Sequence, residues 1–374
     1  MDCDDDLARD VARRLSRWYR VHRRDLPWRR TRNPYAIWIS EVMLQQTIVE
    51  VVAKRWNRFL TRFPTVESLA RAPERPVLAE WSGLGYYARA RNLHRAARAI
   101  AVRGAFPRTL KGWRDLPGVG AYTAAAVASI SFGVPEPVVD GNVVRVLCRF
   151  HGLRLDPKAP ATLAKVRALA RPLVPARNSG DHNQALMELG ALVCRPRAPR
   201  CGACPLRTLC RAAASGKPEG FPRRSRPAKP KSIHLVAGIV ERGEKILLVD
   251  DEELVPGHLT VPLFRIPAGQ RPANVLRRGW KRLTGRGAVA LERVATLRHS
   301  VLDRRYLVSL FTFKEKRTVP PHSRQPGLDD AFSRALVPRV PASRIRLLSP
   351  GQISRHAHGG LLLKVLAAWR EHGS

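Results

Sequence analysis

The chain has 374 residues, with 67 Lys and Arg against 30 Asp and Glu, a formal charge of +37. That field favours a polyanionic partner, and the lack of any run of about 18 apolar residues argues against a membrane span. At this length one hydrophobic core does not comfortably serve the whole chain, so two domains are expected. The chain opens Met1-Asp2-Cys3-Asp4-Asp5-Asp6, acidic and without an apolar signal segment, which points to a reducing compartment.

Asn33-Pro34 is a good helix start, because Asn caps free N–H groups and Pro is tolerated in the first turn. Glu41 would ride that helix near Trp38, Leu44 and Ile48. A carboxyl among apolar groups has a raised pKa, as a general acid requires; the plain alternative is a solvated helix glutamate. Arg89 to Ala101 and Tyr122 to Phe132 are Ala-rich helical stretches, with Gly133 as a stop. Asp140 precedes Gly141-Asn142 and the apolar run Val143 to Leu147. It should stand at a helix N-terminus, whose partial positive charge keeps a carboxylate ionised. Such an aspartate is a cap, a stabiliser of positive charge, or both.

Cys194, Cys201, Cys204 and Cys210 follow with the spacing C-x6-C-x2-C-x5-C, and only Cys3 and Cys148 lie elsewhere. Four thiolates suit a structural zinc or a [4Fe–4S] cluster. Two short C-x2-C pairs would favour zinc, and this run has one. Ser215 to Pro230 is rich in Pro, Gly and charge and reads as an extended linker. Beyond it, Leu235 to Val240 and Lys245 to Val249 flank Glu241-Arg242-Gly243-Glu244, a hairpin signal. Tyr306 to Phe313 is a further strand candidate, and Leu361 to Trp369 a closing helix.

The cysteine spacing resembles the cluster loop of the endonuclease III superfamily of DNA glycosylases. Four further blocks lie upstream in the order that resemblance requires. They are Ser40-Glu41-Val42-Met43-Leu44-Gln45-Gln46-Thr47, Gly83-Leu84-Gly85-Tyr86-Tyr87, Leu116-Pro117-Gly118-Val119-Gly120 and Val138-Val139-Asp140-Gly141-Asn142-Val143. The third looks like the hairpin of a helix-hairpin-helix motif. Together, over roughly residues 10–215, they resemble the adenine DNA glycosylase (MutY-type) family.

The resemblance implies a mainly α helix-hairpin-helix glycosylase domain over residues 1–214, with Cys194, Cys201, Cys204 and Cys210 holding a [4Fe–4S] cluster in the loop 194–210. A basic linker, 215–231, would lead to a C-terminal α+β Nudix-like domain over 232–374. Glu41 would protonate adenine at N7, Asp140 would stabilise or trap the sugar cation, and Asn142 would position Asp140 or the attacking water. Tyr122 stands where bifunctional relatives carry a Schiff-base lysine. It has no amine, so base excision without strand cleavage is expected, although an aromatic packing on the core is the plain alternative. Arg29 and Glu188 would bind the flipped adenine, Gln46 and Tyr86 would fill or wedge the duplex, and Thr47 and Leu84 would touch the opposite base. Gly118 and Gly120 would let N–H groups approach a phosphate, with Arg89 and Arg91 as candidates for further phosphate contacts.

In the C-terminal region, Gly269 to Gly285 has the length of a Nudix box, but Gly279, Arg282 and Leu283 stand where that motif has glutamates. Without them it cannot hold Mg2+, and the domain should read DNA rather than hydrolyse pyrophosphate. Val301-Leu302-Asp303 aligns with the family's Phe-Ser-His lesion-sensing loop, with Ser300 beside it as a candidate contact. The implied substrate is double-stranded DNA with adenine opposite 8-oxoguanine or guanine. The implied enzyme is a monomer in the cytoplasm, at the bacterial nucleoid. A bifunctional pyrimidine-lesion glycosylase is the competing enzyme, against which Tyr122 speaks. A DNA-binding cluster protein without chemistry competes from another class, and the presence of both Glu41 and Asp140 speaks against it.

Overall fold

The computed structural model describes residues 2–223, 230–251, 258–301, 304–316, 345–353 and 360–372. Two compact units emerge, Met1–Glu74 with Tyr86–Pro227, and Arg75–Gly85 with Ala228–Ser374. The short segment 75–85, expected with the first domain, therefore groups with the second. No described helix is long and apolar enough to cross a membrane.

The first unit is helical. Its elements are α1 (Asp2–His22), α2 (Pro34–Leu44), α3 (Val49–Arg62), α4 (Val66–Arg71), α6 (Ala88–Arg103), α7 (Leu110–Arg114), α8 (Ala121–Phe132), α9 (Gly141–Phe150), α10 (Pro160–Ala170), α11 (Ser179–Leu192) and the single turn α12 (Arg211–Ala214), while α5 (Glu74–Glu80) belongs, apart from Glu74, to the segment 75–85 of the second unit. The expected helix start holds: the Asn33 side chain accepts from the N–H groups of Tyr35 and Ala36 at 2.9 and 3.3 Å, with Pro34 first in α2. The expected stop after Phe132 holds as well. Gly133 takes φ 70° and donates its N–H to Ser129 O at 3.0 Å.

Helix α8 is buried on nearly every side, which its small Ala-rich surface allows, and it packs on α2, α7 and α11. Helix α11 comes unusually near its neighbours at both ends. A Cβ on Gly180 would lie 2.7 Å from Ile130 Cα, and one on Gly190 would lie 2.6 Å from Asn142 Cβ. These two glycines seat α11 against α8 and α9, and the residues between them carry much of the site described below.

The first half of the segment expected as linker is packed. The N–H of Ala198 donates to Glu219 at 2.6 Å, Arg223 N–H donates to Leu155 O at 3.1 Å, and the Arg154 guanidinium sits 5.2 Å from the Phe221 ring. Residues 224–229 lie outside the described residues.

The second unit is α+β, as expected. One mixed sheet runs β5 (Leu263–Arg265), β1 (Lys231–Ile239), β7 (Arg304–Lys316), β6 (Gly287–Val301), with β1 and β7 parallel and the other pairs antiparallel. A second sheet runs β2 (Glu241–Arg242), β3 (Lys245–Asp251), β4 (His258–Thr260), with β8 (Ile345–Leu348) also on β3. The hairpin expected between residues 235–240 and 245–249 is reduced to β2 against β3, while β1 enters the other sheet. The reason is legible in β1 and the residue after it: Leu235, Ala237 and Ile239 feed one core, Val236 and Val240 another. An unbroken apolar run buried on both faces belongs in a sheet centre rather than a two-stranded hairpin. The helices α13 (Pro272–Thr284), α14 (Pro350–Ile353) and α15 (Gly360–His372) complete this unit. Helix α13 fills the box 269–285 apart from its first three residues and its last, and contains no acidic residue; a Cβ on its Gly279 would strike the Phe264 ring at 2.5 Å. That position serves packing, with no carboxylate for a metal.

Candidate active site

Glu41 lies on the buried helix α2 and is 4 % exposed. The phenol of Tyr122, one residue into α8, donates to its Oε2 at 2.6 Å and lies 3.7 Å from Met187 Sδ. Burial pushes the Glu41 carboxyl up to about 7, and the negative field of Asp140 adds to the rise, while the Tyr122 hydrogen bond and Arg29 oppose it. A carboxyl at that value is a proton donor at neutral pH. Tyr122 is itself driven well above the ordinary tyrosine range by burial and by Glu41. It therefore stays a neutral hydrogen-bond donor.

Asp140 caps α9, as expected. Its Oδ1 accepts from Val143 N–H at 2.7 Å and its Oδ2 from Asn142 Nδ2 at 2.9 Å. Its carboxyl is shifted up from the ordinary aspartate value. Burial outweighs the Val143 and Asn142 hydrogen bonds and the field of Arg145. Asn142 Oδ1 in turn accepts from Arg145 Nη2 at 2.8 Å. The same guanidinium donates to Cys194 O through Nε at 2.8 Å and to Gly190 O through Nη2 at 2.8 Å. Arg145 was missed in the sequence, although residues 142 and 145 share one helix face.

Glu188 on α11 is 1 % exposed and saturated. Arg29 grips it with Nη1 and Nη2 at 2.9 Å each. Arg24 donates its backbone N–H at 2.8 Å, Nε at 3.0 Å and Nη2 at 2.7 Å. Burial alone would raise this carboxyl, but the two guanidiniums prevail and hold it at about 2. Arg24 carries no sequence signal beyond its place in a basic stretch, and it was missed.

These groups face one cavity of about 210 Å³ inside the first unit. It is lined by Arg24, Trp28, Arg29, Glu41, Thr47, Tyr122, Asp140, Asn142, Met187 and Glu188, with other side chains closing the walls. A desolvated acid, an anion at a helix N-terminus, two fixed cations and the aromatic Trp28 thus converge on one space. It suits a flat polar heterocycle attached to a group that develops positive charge.

Several expected residues lie off this cavity. Gln46 is exposed beyond the end of α2 with φ 59° rather than on a helix. Tyr86 is half-buried with φ 48°, and Leu84 is 3 % exposed, a packing residue in the second unit. Gly118 needs its φ of 74°, and a Cβ there would lie 2.4 Å from Asn92 Cβ; Gly120 is exposed before α8, whose first N–H groups are free by helix geometry. Arg89 and Arg91 are engaged within the protein. Arg89 holds carbonyls at the end of α2, and Arg91 pairs with Glu74 at 3.3 Å. Ser300 belongs to the second unit. It is exposed near the end of β6, opposite Arg305, and Leu302 and Asp303 lie outside the described residues.

Cys194, Cys201, Cys204 and Cys210 line a second cavity of the first unit. Among the described residues, no three His, Cys, Asp or Glu side chains are set to hold one metal ion. Buried Arg149, 2 % exposed, donates through Nη1 to Cys194 Sγ at 3.3 Å and to Arg195 O at 2.7 Å, and through Nε to Phe221 O at 3.0 Å. The four cysteines thus border one space with the Arg149 guanidinium on its wall.

The residues 39–172 match the family model described as HhH-GPD superfamily base excision DNA repair protein. The chain is 46 % identical over 223 residues to the adenine DNA glycosylase of Homo sapiens, covering 55 % of this chain and 41 % of the relative. Identity to the adenine DNA glycosylase of Buchnera aphidicola is 37 % over 203 residues, covering 54 % of this chain and 57 % of the relative. The chain thus spans about half the length of the curated relatives it matches. A solved thermostable thymine-DNA glycosylase is similar with a TM-score of 0.52 and 32 % identity, over 57 % of this chain and 100 % of that one.

Proposed function

Because the chain belongs to the HhH-GPD superfamily of base excision DNA repair proteins, we propose that it is a monofunctional glycosylase excising adenine opposite 8-oxoguanine or guanine in duplex DNA. The observation that carries the reading is the cavity in which Glu41, held by Tyr122 with its carboxyl raised to about 7, faces the capped carboxylate Asp140.

The target nucleotide leaves the stack and enters the cavity. Glu41 gives its proton to a ring nitrogen of adenine, so the base departs neutral as the bond from C1′ to N9 breaks. Asp140 faces the oxocarbenium-like sugar that remains. Water adds to C1′ and its proton returns to the Glu41 carboxylate, which restores the acid. Arg24, Arg29 and Glu188 form one rigid charged wall against the polar edge of the base. The charge of +37 supports DNA as the partner, and the proposed enzyme works as a monomer on chromosomal DNA in the cytoplasm.

The deciding experiment is excision from duplexes that place A, T or C opposite G or 8-oxoguanine. Adenine release supports the reading. Release of thymine instead, the substrate class named for the thymine-DNA glycosylase relative, overturns it.

Tyr122 offers no amine for a Schiff base. The wild type should therefore leave an intact abasic strand until alkali is added, and borohydride should trap little covalent adduct. Efficient trapping and cleavage would replace the monofunctional reading with a bifunctional one.

Cys194, Cys201, Cys204 and Cys210 would hold a [4Fe–4S] cluster, with Arg149 as the facing cation. When bound, the cluster ties the four loop positions together. Purified protein should contain iron with little zinc and absorb broadly toward the blue, and Cys204→Ser should lower iron content and solubility. Stoichiometric zinc without iron in anaerobically prepared protein refutes the assignment. The second unit, with an acid-free α13, supports a role in reading DNA rather than hydrolysing nucleotides.

A further inference from the structure

The turn between α2 and α3 carries an isoleucine where two ordinary preferences argue against one. Ile48 is 65 % exposed. It also occupies the N-cap of α3 without a side-chain cap bond, a place where Ser, Thr, Asp or Asn would satisfy a free N–H. A scattered surface isoleucine needs no explanation. One that also forfeits a cap beside the catalytic cavity does, because local rules are broken where function requires it. Both chain neighbours of Ile48, Thr47 and Val49, line that cavity.

The turn is also firmly mounted. Arg89 Nη1 donates to Val42 O at 2.7 Å and Met43 O at 3.1 Å, and also to Gln45 O. Its Nη2 donates to Thr47 Oγ1 at 3.2 Å, and its guanidinium lies 5.5 Å from the Tyr86 ring centroid. Gln46 and Tyr86 hold left-handed φ values of 59° and 48°, which non-glycine residues keep only when their surroundings impose them. One half-buried guanidinium thus joins two strained positions into a stiff support, and Ile48 stands on it.

We propose that Ile48 is a DNA-contacting residue, the apolar tip that packs against bases unstacked when the target nucleotide enters the cavity. An apolar side chain set beside an opened base step recovers burial that it lacks in the free protein, and offsets part of the unstacking. The inference rests on the base-excision reading, and it deepens that reading by adding a contact that resists re-closure of the duplex.

The test uses Ile48→Ser and Ile48→Val in the full-length protein. Serine can cap α3, so Ile48→Ser should keep or raise Tm. Its affinity for a duplex with A opposite 8-oxoguanine should nevertheless fall about tenfold, the scale of one buried aliphatic side chain. Affinity for a fully paired duplex should stay unchanged, and Ile48→Val should remain close to wild type in both. Wild-type affinity for the mispair in Ile48→Ser overturns the proposal. So does an equal loss on mispaired and paired duplexes, or a loss that tracks a lowered Tm. If the wild type releases no adenine, the functional reading fails, while the comparison of mispaired with paired duplex still decides the role of Ile48.

Discussion

Glu41→Gln should bind mispaired duplex as tightly as wild type and excise adenine ~10²–10⁴-fold more slowly, the usual worth of a general acid. The substitution keeps the size of the group and an acceptor for the Tyr122 hydroxyl, and removes only the transferable proton. In the wild type the active form is protonated, so the single-turnover rate should fall as pH rises through about 7. Tyr122→Phe removes a hydrogen bond that lowers the Glu41 value, so it should move that alkaline limb upward. Stability follows the same group. Its folded pKa lies above the ordinary 4.5, so its contribution is fully present below 4.5 and is lost as pH rises through about 7. At ~1.4 kcal/mol per tenfold change in proton affinity, the wild type should lose on the order of 3 kcal/mol across that window, and Glu41→Gln should not. Chemical denaturation at pH 5 and pH 8 reads the stability difference. A variant that excises at the wild-type rate sinks the assignment of Glu41.

Asp140→Asn should cost a further large factor, ~10²–10³ in single-turnover excision, because it removes a negative charge aimed at a positive one in a desolvated site. Asparagine is as good an N-cap as aspartate, so the bond to the Val143 N–H survives; the bond from Asn142 Nδ2 is lost, and Tm should fall by only the few degrees that one hydrogen bond is worth. Loss of rate without loss of fold separates catalysis from capping; a normal rate would reduce Asp140 to a cap. Arg145→Leu should reproduce part of the loss without touching the cavity lining, since it frees Asn142 Oδ1, Gly190 O and Cys194 O together. An Arg145→Leu enzyme with full rate would show that Asn142 holds Asp140 unaided.

Much of the site was legible because its chemistry sits in contiguous blocks. Asn33-Pro34 set the start of α2 and with it the placement of Glu41, and Asp140 before an apolar run marked the start of α9. The rest depends on contacts across the chain. Arg24 meets Glu188 across 164 positions, and nothing local distinguishes it from the arginines around it. Leu84 carries a loop-like neighbourhood of glycines yet packs inside, because burial is decided by what folds over it. The burial of Asp140 was likewise hidden, since a helix N-terminus is visible in sequence while the depth of the cavity is not. In the second unit β1, β3 and β7 were found while β4, β5, β6 and β8 were not, and the pairing was missed, because an apolar run states that both its faces are covered without stating by what.

The seating of α11 has a consequence for how the enzyme tolerates change. The helix is braced at Gly180 and Gly190 by main-chain and Cβ atoms of its neighbours, not by interlocking side chains. Side-chain packing can be traded among aliphatic residues, with losses spread over many contacts. Contact at the backbone has no such slack, because a methyl added at Gly190 lands on Asn142, the residue that holds Asp140. The distance between Glu188 on α11 and Asp140 at the start of α9 is therefore metered by two missing side chains. Neutral drift can rewrite the surrounding core and leave that gauge intact, whereas one added carbon at either glycine would miscalibrate the reaction centre in a protein that otherwise folds.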